Sequence, residues 1–216
     1  MIKKIFILFK LGRKLAKSDA LKIITKFHKP PIGVKIIFYL FSLSFSKKGV
    51  SNFNEAEGER LSNSLQSMGT TFIKLGQFLA TRPDIIGEKL SKQLESLQDR
   101  LPPFQLSRAK EIIKKNLGED NFNSIINLSE PVAAASIAQV HKAQINDNGT
   151  IKDVAIKILR PDIKKIFNEE IDALMLFAFL TESIIKKTKR LKLIEVVYLL
   201  KEITNLEMDL RFEAAA

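Results

Sequence analysis

The spacing of apolar residues predicts a chain that is mostly helical, with a small sheet in its second half. In seven segments the apolar residues recur every three or four positions, which is the period of a helix with one buried face. Gly69 followed by Thr70 predicts the end of one helix and the N-cap of the next. The predicted helices are residues 2–17, 55–68, 71–81, 84–99, 105–117, 162–187 and 193–213.

The pattern changes between residues 120 and 160. Three short apolar or alternating runs, residues 125–128, 138–145 and 153–159, predict strands. Residues 146–149 lie between the last two and end in Asn-Gly, which is the strongest short signal for a hairpin. The predicted fold class is therefore α+β, with helices first, then a short antiparallel sheet, then two long helices.

The charge pattern divides the chain further. The net charge of +11 lies entirely in residues 1–50, which hold twelve basic residues and one acid, Asp19, whereas residues 51–216 hold 23 of each. Three segments follow, namely a basic amphipathic arm over residues 1–50, a helical extension over residues 51–120 and a sheet-containing lobe over residues 121–216. Such an arm suits an anionic surface, either phospholipid or nucleic acid. Its apolar runs are shorter than the roughly twenty residues that span a bilayer, so we expect interfacial contact.

Composition excludes some kinds of site. The chain has no Cys and only two His, so neither a disulfide nor a thiolate or His-rich metal site is expected. Two Tyr and no Trp leave few stacking groups besides Phe, which disfavours nucleic acid as the partner of the arm.

Residues 154–157 read Val-Ala-Ile-Lys on the last predicted strand. Alternation places Ala155 and Lys157 on one face, where a methyl group can lie under a purine and the ammonium can reach its phosphates. Protein kinases use a V-A-I-K strand in this way. The alternative is a lysine extending from an ordinary amphipathic strand.

An alanine-rich stretch, residues 131–141, precedes the hairpin at the place where a kinase keeps its glycine-rich phosphate loop. Ala133, Ala134, Ala135 and Ser136 are the candidate phosphate-loop residues. The alternative is a helix N-terminus or a tightly packed turn, and His141 is expected to be structural rather than a base.

Lys74, Gly76 and Gln77 form a K-x-G-Q sequence on the predicted helix 71–81. Lys74 and Gln77 would make a polar stripe, and Gly76 would let another backbone approach. The alternative is a solvated helix face.

Three acids, Glu207, Asp209 and Glu213, lie near the end of the chain. Asp209 and Glu213 are four residues apart and are expected on one helix face, with Glu207 about a turn earlier. Such a group is unfavourable without nearby cations, and Lys157 and Lys74 are the candidates. The alternative is a solvated acidic face.

Together these stretches resemble the UbiB family of kinase-like proteins in order and spacing, over residues 55–214. The resemblance implies a helical extension followed by a protein-kinase-like small lobe. It also implies that Lys157 contacts nucleotide phosphates, that Glu213 is its salt-bridge partner and that Ala133–Ser136 are the family's alanine-rich loop. The matching stretches are residues 69–84, 97–104, 133–141, 154–161 and 207–214.

The same resemblance implies that Lys74, Gly76 and Gln77 lie over the place where a kinase would bind peptide. Glu207 and Asp209 match the family's E-x-D motif, which meets that lysine and glutamine. The implied activity is an ATPase or small-molecule kinase that uses ATP and supports ubiquinone biosynthesis. Nothing resembles a flavin or oxygen site, so a polyprenylphenol hydroxylase is not expected.

A kinase-like site also needs a catalytic Asp, a metal-binding Asn and an Asp-Phe-Gly-like turn. No such motif occurs, and no glycine follows Gly149. We therefore expect a chain without the large lobe, whether as a fragment, as one half of a split gene or as a decayed gene. Alone it is expected to be inactive, with no metal ligands of its own and with Mg²⁺ bound only if a separate chain supplies that lobe.

The expected partners are a nucleotide, an anionic membrane surface and an isoprenoid lipid, with the chain peripheral on the cytoplasmic face of the inner membrane. The alternative function is a non-catalytic membrane or lipid-binding module.

Overall fold

A computed structural model describes residues 2–17, 57–95, 97, 101–147, 149–184 and 186–215. A 3₁₀ helix spans Lys186–Leu191. Residues 18–50 of the predicted arm lie outside the described residues. The helices, numbered over the described residues, are α1 Ile2–Lys17, α2 Glu57–Met68, α3 Thr70–Ala80, α4 Pro83–Ile86, α5 Glu88–Leu94, α6 Leu106–Leu117, α7 Glu119–Asn123, α8 Ile163–Ile184, α9 Leu193–Glu207 and α10 Leu210–Ala215.

The sheet is antiparallel and is built around one long strand. Its strands are β1 Ile125–Ile126, β2 Pro131–Ala134, β3 Ala138–Asp147 and β4 Thr150–Leu159. β4 pairs with β3 along its whole length, from Ala138 opposite Leu159 to Asp147 opposite Thr150, while β1 and β2 pair with the opposite edge of β3. The α+β class and the 146–149 hairpin are thereby confirmed, with Gly149 at φ +88° in the turn.

One part of the sheet was not predicted. Pro131–Ala134 forms strand β2, whereas the sequence suggested a phosphate loop, a helix N-terminus or a tight turn over residues 131–141. Alanine is a poor strand former, but pairing of Ala133 and Ala134 with Val140 and Gln139 overrides that weak preference. Pro131 begins the strand, which is a position where its missing N–H is tolerated.

The described chain divides into two compact units. The first comprises residues up to Gln98 and Lys165–Glu207, and the second comprises Asp99–Lys164 with Met208 onward. Helix α6 thus belongs to the same unit as the sheet, and α9 belongs to the same unit as helices α2–α5.

The first unit is a helical bundle. Its core is formed by apolar side chains that are at most 6% exposed, and burying each such side chain contributes about 1.5–3 kcal/mol. These side chains include Leu61, Leu65 and Met68 of α2, Phe72 and Ile73 of α3, Leu90 and Leu94 of α5, and Phe167 and Ile171 of α8.

Helix α1 belongs to the first unit and is the predicted amphipathic helix. Lys3 and Lys4 lie 2.6 and 2.9 Å from Glu169 and Asp172 of α8, and Leu11 is only 3% exposed. The pKa of the Glu169 carboxyl is lowered by its hydrogen bond from Lys3. A second group of apolar side chains faces solvent, namely Ile2, Ile5, Phe6 and Phe9, which are 43–84% exposed.

The second unit places α6 on one face of the sheet. Ala109 and Ile113 of α6 form a buried cluster with Ile158 of β4, and Ile156 packs against the same cluster. Alternation along β4 therefore buries the even-numbered apolar residues and leaves Ala155 and Lys157 on the other face.

Three predicted helix boundaries were wrong. The segment 84–99 is interrupted at Gly87, where φ is +85°, so that α4 and α5 are separate. The N-cap of α3 is Gly69, at φ +105°, and Thr70 is already helical. The long helix predicted over residues 193–213 stops at Glu207 and restarts at Leu210 as α10.

Candidate functional site

Strand β4 presents Lys157 from the face of the sheet that α6 does not cover. The Lys157 side chain is 32% exposed, and Ala155, two residues earlier on the same face, is exposed. A lysine ammonium beside a methyl group is accessible there, which is the arrangement that the V-A-I-K sequence predicts.

The ammonium of Lys157 is held by an acid far away in sequence. Its Nζ lies 2.5 Å from Oε2 of Glu213 on α10, across 56 residues of chain. The Glu213 side chain is 60% exposed, so water screens the pair and its contribution to stability is modest. The main effect of the pair is on geometry, because the Glu213 carboxylate fixes the Lys157 ammonium above the exposed face of β4.

The break between α9 and α10 decides where Glu213 lies. Asp209 caps α10, since its Oδ1 accepts a hydrogen bond from the Arg211 N–H at 3.2 Å. The Arg211 side chain also donates from Nε and Nη2 to the two carboxylate oxygens, at 2.8 and 2.5 Å. These bonds lower the pKa of Asp209 to about 2 and raise that of Arg211.

Asp209 and Glu213 therefore do not lie on one face of a continuous helix, which corrects the expectation from sequence. Glu207 ends α9, Asp209 lies between the helices and Glu213 lies on α10. Each has its own cation, because Glu207 pairs with Lys74, Asp209 with Arg211 and Glu213 with Lys157.

The K-x-G-Q sequence lies on α3 in the first unit. Lys74 Nζ is 2.7 Å from Oε2 of Glu207, and the two side chains are 11% and 39% exposed. Gln77 is partly exposed one turn later. The pair is the better shielded of the two lysine–glutamate pairs, so breaking it should have the larger effect on stability.

Gly76 faces side chains rather than another backbone. A Cβ atom at this position would lie 2.5 Å from Cδ2 of Leu97 and 2.9 Å from Cδ1 of Leu65. The expectation that Gly76 admits a neighbouring backbone is thereby corrected: the close neighbours are two buried leucines.

The alanine-rich candidates lie at the end of β2 and in the turn that follows it. Ala133 is exposed, and Ala134 and Ala135 are partly buried. Ser136 is fully buried at 0% exposure. The hydroxyl of Ser136 therefore does not reach the surface of the sheet.

Arg160, which the sequence did not single out, fixes this turn. Its Nε and Nη2 donate to the carbonyl of Ala135 at 3.0 and 2.8 Å, and its Nη1 and Nη2 donate to the carbonyls of Pro102 and Leu101 at 3.0 and 3.1 Å. The only sequence signal is an arginine directly after a strand and before Pro161. It ties the Ala135 turn to the Pro-Pro segment before α6.

A buried amide and imidazole form a second connection that sequence reasoning missed. Gln139 accepts from the Phe104 N–H at 2.9 Å and donates to the Phe104 carbonyl at 3.1 Å. Its Nε2 is also 2.9 Å from Nε2 of His141, whose Nδ1 is 2.8 Å from the Ser129 carbonyl. Since a carbonyl only accepts, Nδ1 carries the proton and Nε2 accepts from Gln139. His141 is thus structural, as expected from the sequence.

Neither a metal-binding cluster nor a membrane-spanning helix occurs in the described ranges. No cluster of three or more His, Cys, Asp or Glu suited to a metal ion occurs there. No helix in the described part of the chain combines the length and the hydropathy needed to cross a bilayer.

The chain is similar to known proteins over most of its length. Residues 96–216 match the ABC1 atypical kinase-like domain. Proteins named "Probable protein kinase UbiB" from Marinobacter nauticus, Aliivibrio fischeri and Azotobacter vinelandii are 38%, 38% and 39% identical over 161, 160 and 157 residues. The matches cover 74%, 73% and 72% of this chain.

The chain spans 29% of the length of each of these relatives. No solved structure shows significant similarity to it. Because the domain match covers more than half of the residues, the chain belongs to the ABC1 atypical kinase-like family.

Proposed function

We propose that this chain binds ATP on the exposed face of β4, as part of a UbiB-type atypical kinase or ATPase that supports ubiquinone biosynthesis. The observation that carries the proposal is the pairing of Lys157 with Glu213 beside the exposed Ala155. A phosphate-binding lysine gains from a carboxylate that fixes the position of its ammonium.

The residues at this place fit a nucleotide. Lys157 would neutralise phosphate oxygens, and Ala155 offers a flat apolar surface to a purine. Ala133–Ala135 lie at the end of β2 and in the turn after it, across β3 from β4. Ser136 is buried and would support the turn instead of contacting the ligand. ATP supplies the phosphoryl group when bound, and Lys157 with Glu213 would orient it.

The substrate that we propose is a small molecule rather than a peptide. By the family resemblance, the K-x-G-Q motif would lie over the peptide-binding side of a kinase. The shielded ion pair of Lys74 with Glu207 would hold α3 in place. Motifs for a catalytic base and for Mg²⁺ do not occur within the 216 residues. Binding rather than turnover is therefore the property to measure on this chain.

The test is equilibrium binding of a non-hydrolysable ATP analogue to the 216-residue chain. Lys157→Met should weaken binding by tenfold or more, since an ammonium–phosphate contact contributes on the order of 1.5–3 kcal/mol. Lys152→Met is the matched control, because Lys152 lies on the same strand, is 55% exposed and pairs with Asp147. Equal affinity of the Lys157 variant and the Lys152 control for the ATP analogue would contradict the assignment of Lys157 to phosphate binding.

A second candidate function is a membrane or lipid-binding module, and helix α1 favours it. α1 is anchored to α8 through Lys3 and Lys4, yet Ile2, Phe6 and Phe9 face solvent. Lys10 and Arg13 are exposed on the same helix. Apolar and basic side chains exposed together suit the surface of an anionic bilayer.

On this proposal the protein lies peripherally on the cytoplasmic face of the inner membrane, where an isoprenoid lipid would be available. In vesicle flotation, Phe6→Ser with Phe9→Ser should lower the bound fraction, whereas Leu117→Ser, a change at an equally exposed residue of α6, should not. Vesicle binding without any ATP binding would favour the lipid module over the kinase-like function.

A further inference from the structure

An unbalanced run of positive charge joins α8 to α9. Residues 186–192 contain four lysines and one arginine but no acid. Lys192 is bonded to both carboxylate oxygens of Glu195, at 3.0 and 2.9 Å. Lys189 and Arg190 are exposed, and within the part of the chain that the structure describes neither has an ion-pair partner.

This segment borders a cavity of about 190 Å³ in the first unit. That volume would hold roughly six waters at about 30 Å³ each, which is enough for a phosphate group with its glycerol. Arg82, Arg190 and Lys192 contribute cations to its wall, and Asp84 and Glu195 contribute acids.

Both acids of the cavity are already neutralised, so its free charge is positive. Arg82 donates from Nε and Nη2 to the two oxygens of Asp84 at 2.8 and 2.7 Å. This pairing lowers the pKa of the Asp84 carboxyl, through the hydrogen bond from Arg82. The guanidinium also lies 5.9 Å from the centre of the Phe78 ring. Glu195 is paired with Lys192, so Arg190 is the cation of the cavity wall that can bind an anion.

Large apolar side chains are exposed on both sides of the basic segment. Phe179 and Ile184 of α8 are 57% and 65% exposed, and Tyr198 of α9 is 57% exposed. The hydroxyl of Thr188 donates to the carbonyl of Thr181 at 3.1 Å, which folds the 3₁₀ helix back onto the last turns of α8. Leu199, which lines the cavity, is 42% exposed as well. Cations and exposed aromatic or aliphatic groups therefore occur along the same stretch of chain, as on proteins that bind lipid head groups.

We propose that the cavity binds the phosphate group of an anionic phospholipid through Arg190, while Phe179 and Ile184 enter the edge of the acyl region. The site is separate from α1 and from Lys157. The exposed apolar groups are what favour a lipid over a soluble phosphate compound, because a soluble anion would leave them in water.

The experiment uses the full chain carrying Phe6→Ser and Phe9→Ser, which weakens the separate surface of α1. Binding to vesicles of phosphatidylcholine mixed with phosphatidylglycerol is compared with binding to phosphatidylcholine alone. Arg190→Glu should weaken binding to the anionic vesicles by about thirtyfold, and Arg190→Gln by about fivefold. Arg108→Glu, at an exposed arginine of α6, is the control and should have no effect.

A second arm distinguishes lipid from soluble phosphate. Phe179→Ser with Ile184→Ser should weaken vesicle binding several-fold but leave the weak binding of glycerol phosphate, followed by NMR, unchanged. Unaltered vesicle binding by Arg190→Glu would overturn the site. If the Phe179 and Ile184 changes left vesicle binding intact, the assignment to a lipid would be wrong.

Discussion

Lys74 and Glu207 lie 2.7 Å apart and join α3 to α9, with the lysine 11% exposed and the glutamate 39% exposed. The two residues are 133 positions apart in the sequence and come from the K-x-G-Q and E-x-D motifs. The ion pair therefore links one residue of each motif, Lys74 and Glu207, within the first unit. A shielded ammonium without its carboxylate is far more costly than an exposed one.

This pair should be measurably coupled. In a double-mutant cycle with Lys74→Met and Glu207→Gln, we expect a coupling of about 1–2 kcal/mol in the free energy of unfolding, below the value for fully buried pairs because Glu207 is partly solvated. Glu207→Gln should destabilise more than Lys74→Met, since it leaves the shielded ammonium without this carboxylate. Urea unfolding followed by circular dichroism measures both.

The control cycle uses Arg108→Gln and Glu111→Gln, whose side chains are 53% and 63% exposed. Its coupling should stay below about 0.5 kcal/mol. Similar couplings in the two cycles would show that the Lys74–Glu207 pair is an ordinary surface contact.

Asp209 should titrate well below an ordinary aspartate. Its hydrogen bonds from Arg211 lower the pKa to about 2, from 3.8 for a free side chain. Because the folded pKa lies below the unfolded one, the stabilisation by this group is present above pH 3.8 and is lost as the pH falls through about 2. Carbon NMR of the Asp209 carboxyl measures the titration.

Arg211→Gln should return the Asp209 pKa most of the way to 3.8. Arg82→Gln is the control, because it removes a similar bidentate pair at Asp84 and leaves Asp209 untouched. A normal Asp209 pKa in the unaltered chain would contradict the described cap of α10.

Arg160 should contribute strongly to the stability of the second unit. In Arg160→Lys, a single ammonium replaces the planar guanidinium that donates to three carbonyls. We therefore expect the free energy of unfolding to fall by about 1–3 kcal/mol. Amide exchange at Ala135, whose N–H donates to the Ala138 carbonyl, should accelerate in the variant. Arg108→Lys is the matched control, and exchange at Ala135 that is unchanged by Arg160→Lys would disprove the clamp.

The sequence predicted much of the fold because local signals agreed with tertiary packing. The Asn-Gly turn defined the β3–β4 hairpin, and alternation along β4 placed Lys157 opposite the face that Ile156 and Ile158 bury. The periodicity of α8 and α9 was equally clear. These elements needed no knowledge of distant contacts.

The errors have physical reasons. β2 looked like a loop because its alanines have low strand propensity, and only pairing with β3 makes it a strand. The break after Glu207 was hidden because the apolar pattern continues through Met208, which is 2% exposed. Asp209 as an N-cap was the available signal. The bonds of Arg160 and Gln139 join residues 25–59 and 35 positions apart, which no local pattern reveals.

The most direct measurement is a double-mutant cycle on nucleotide affinity with Lys157→Met and Glu213→Gln. If Glu213 acts by positioning the Lys157 ammonium, Lys157→Met should weaken binding of an ATP analogue at least tenfold and Glu213→Gln about threefold to tenfold. The double variant should then bind no more weakly than Lys157→Met alone. Affinities that fall additively, or that do not fall at all, would contradict a nucleotide site built on this pair.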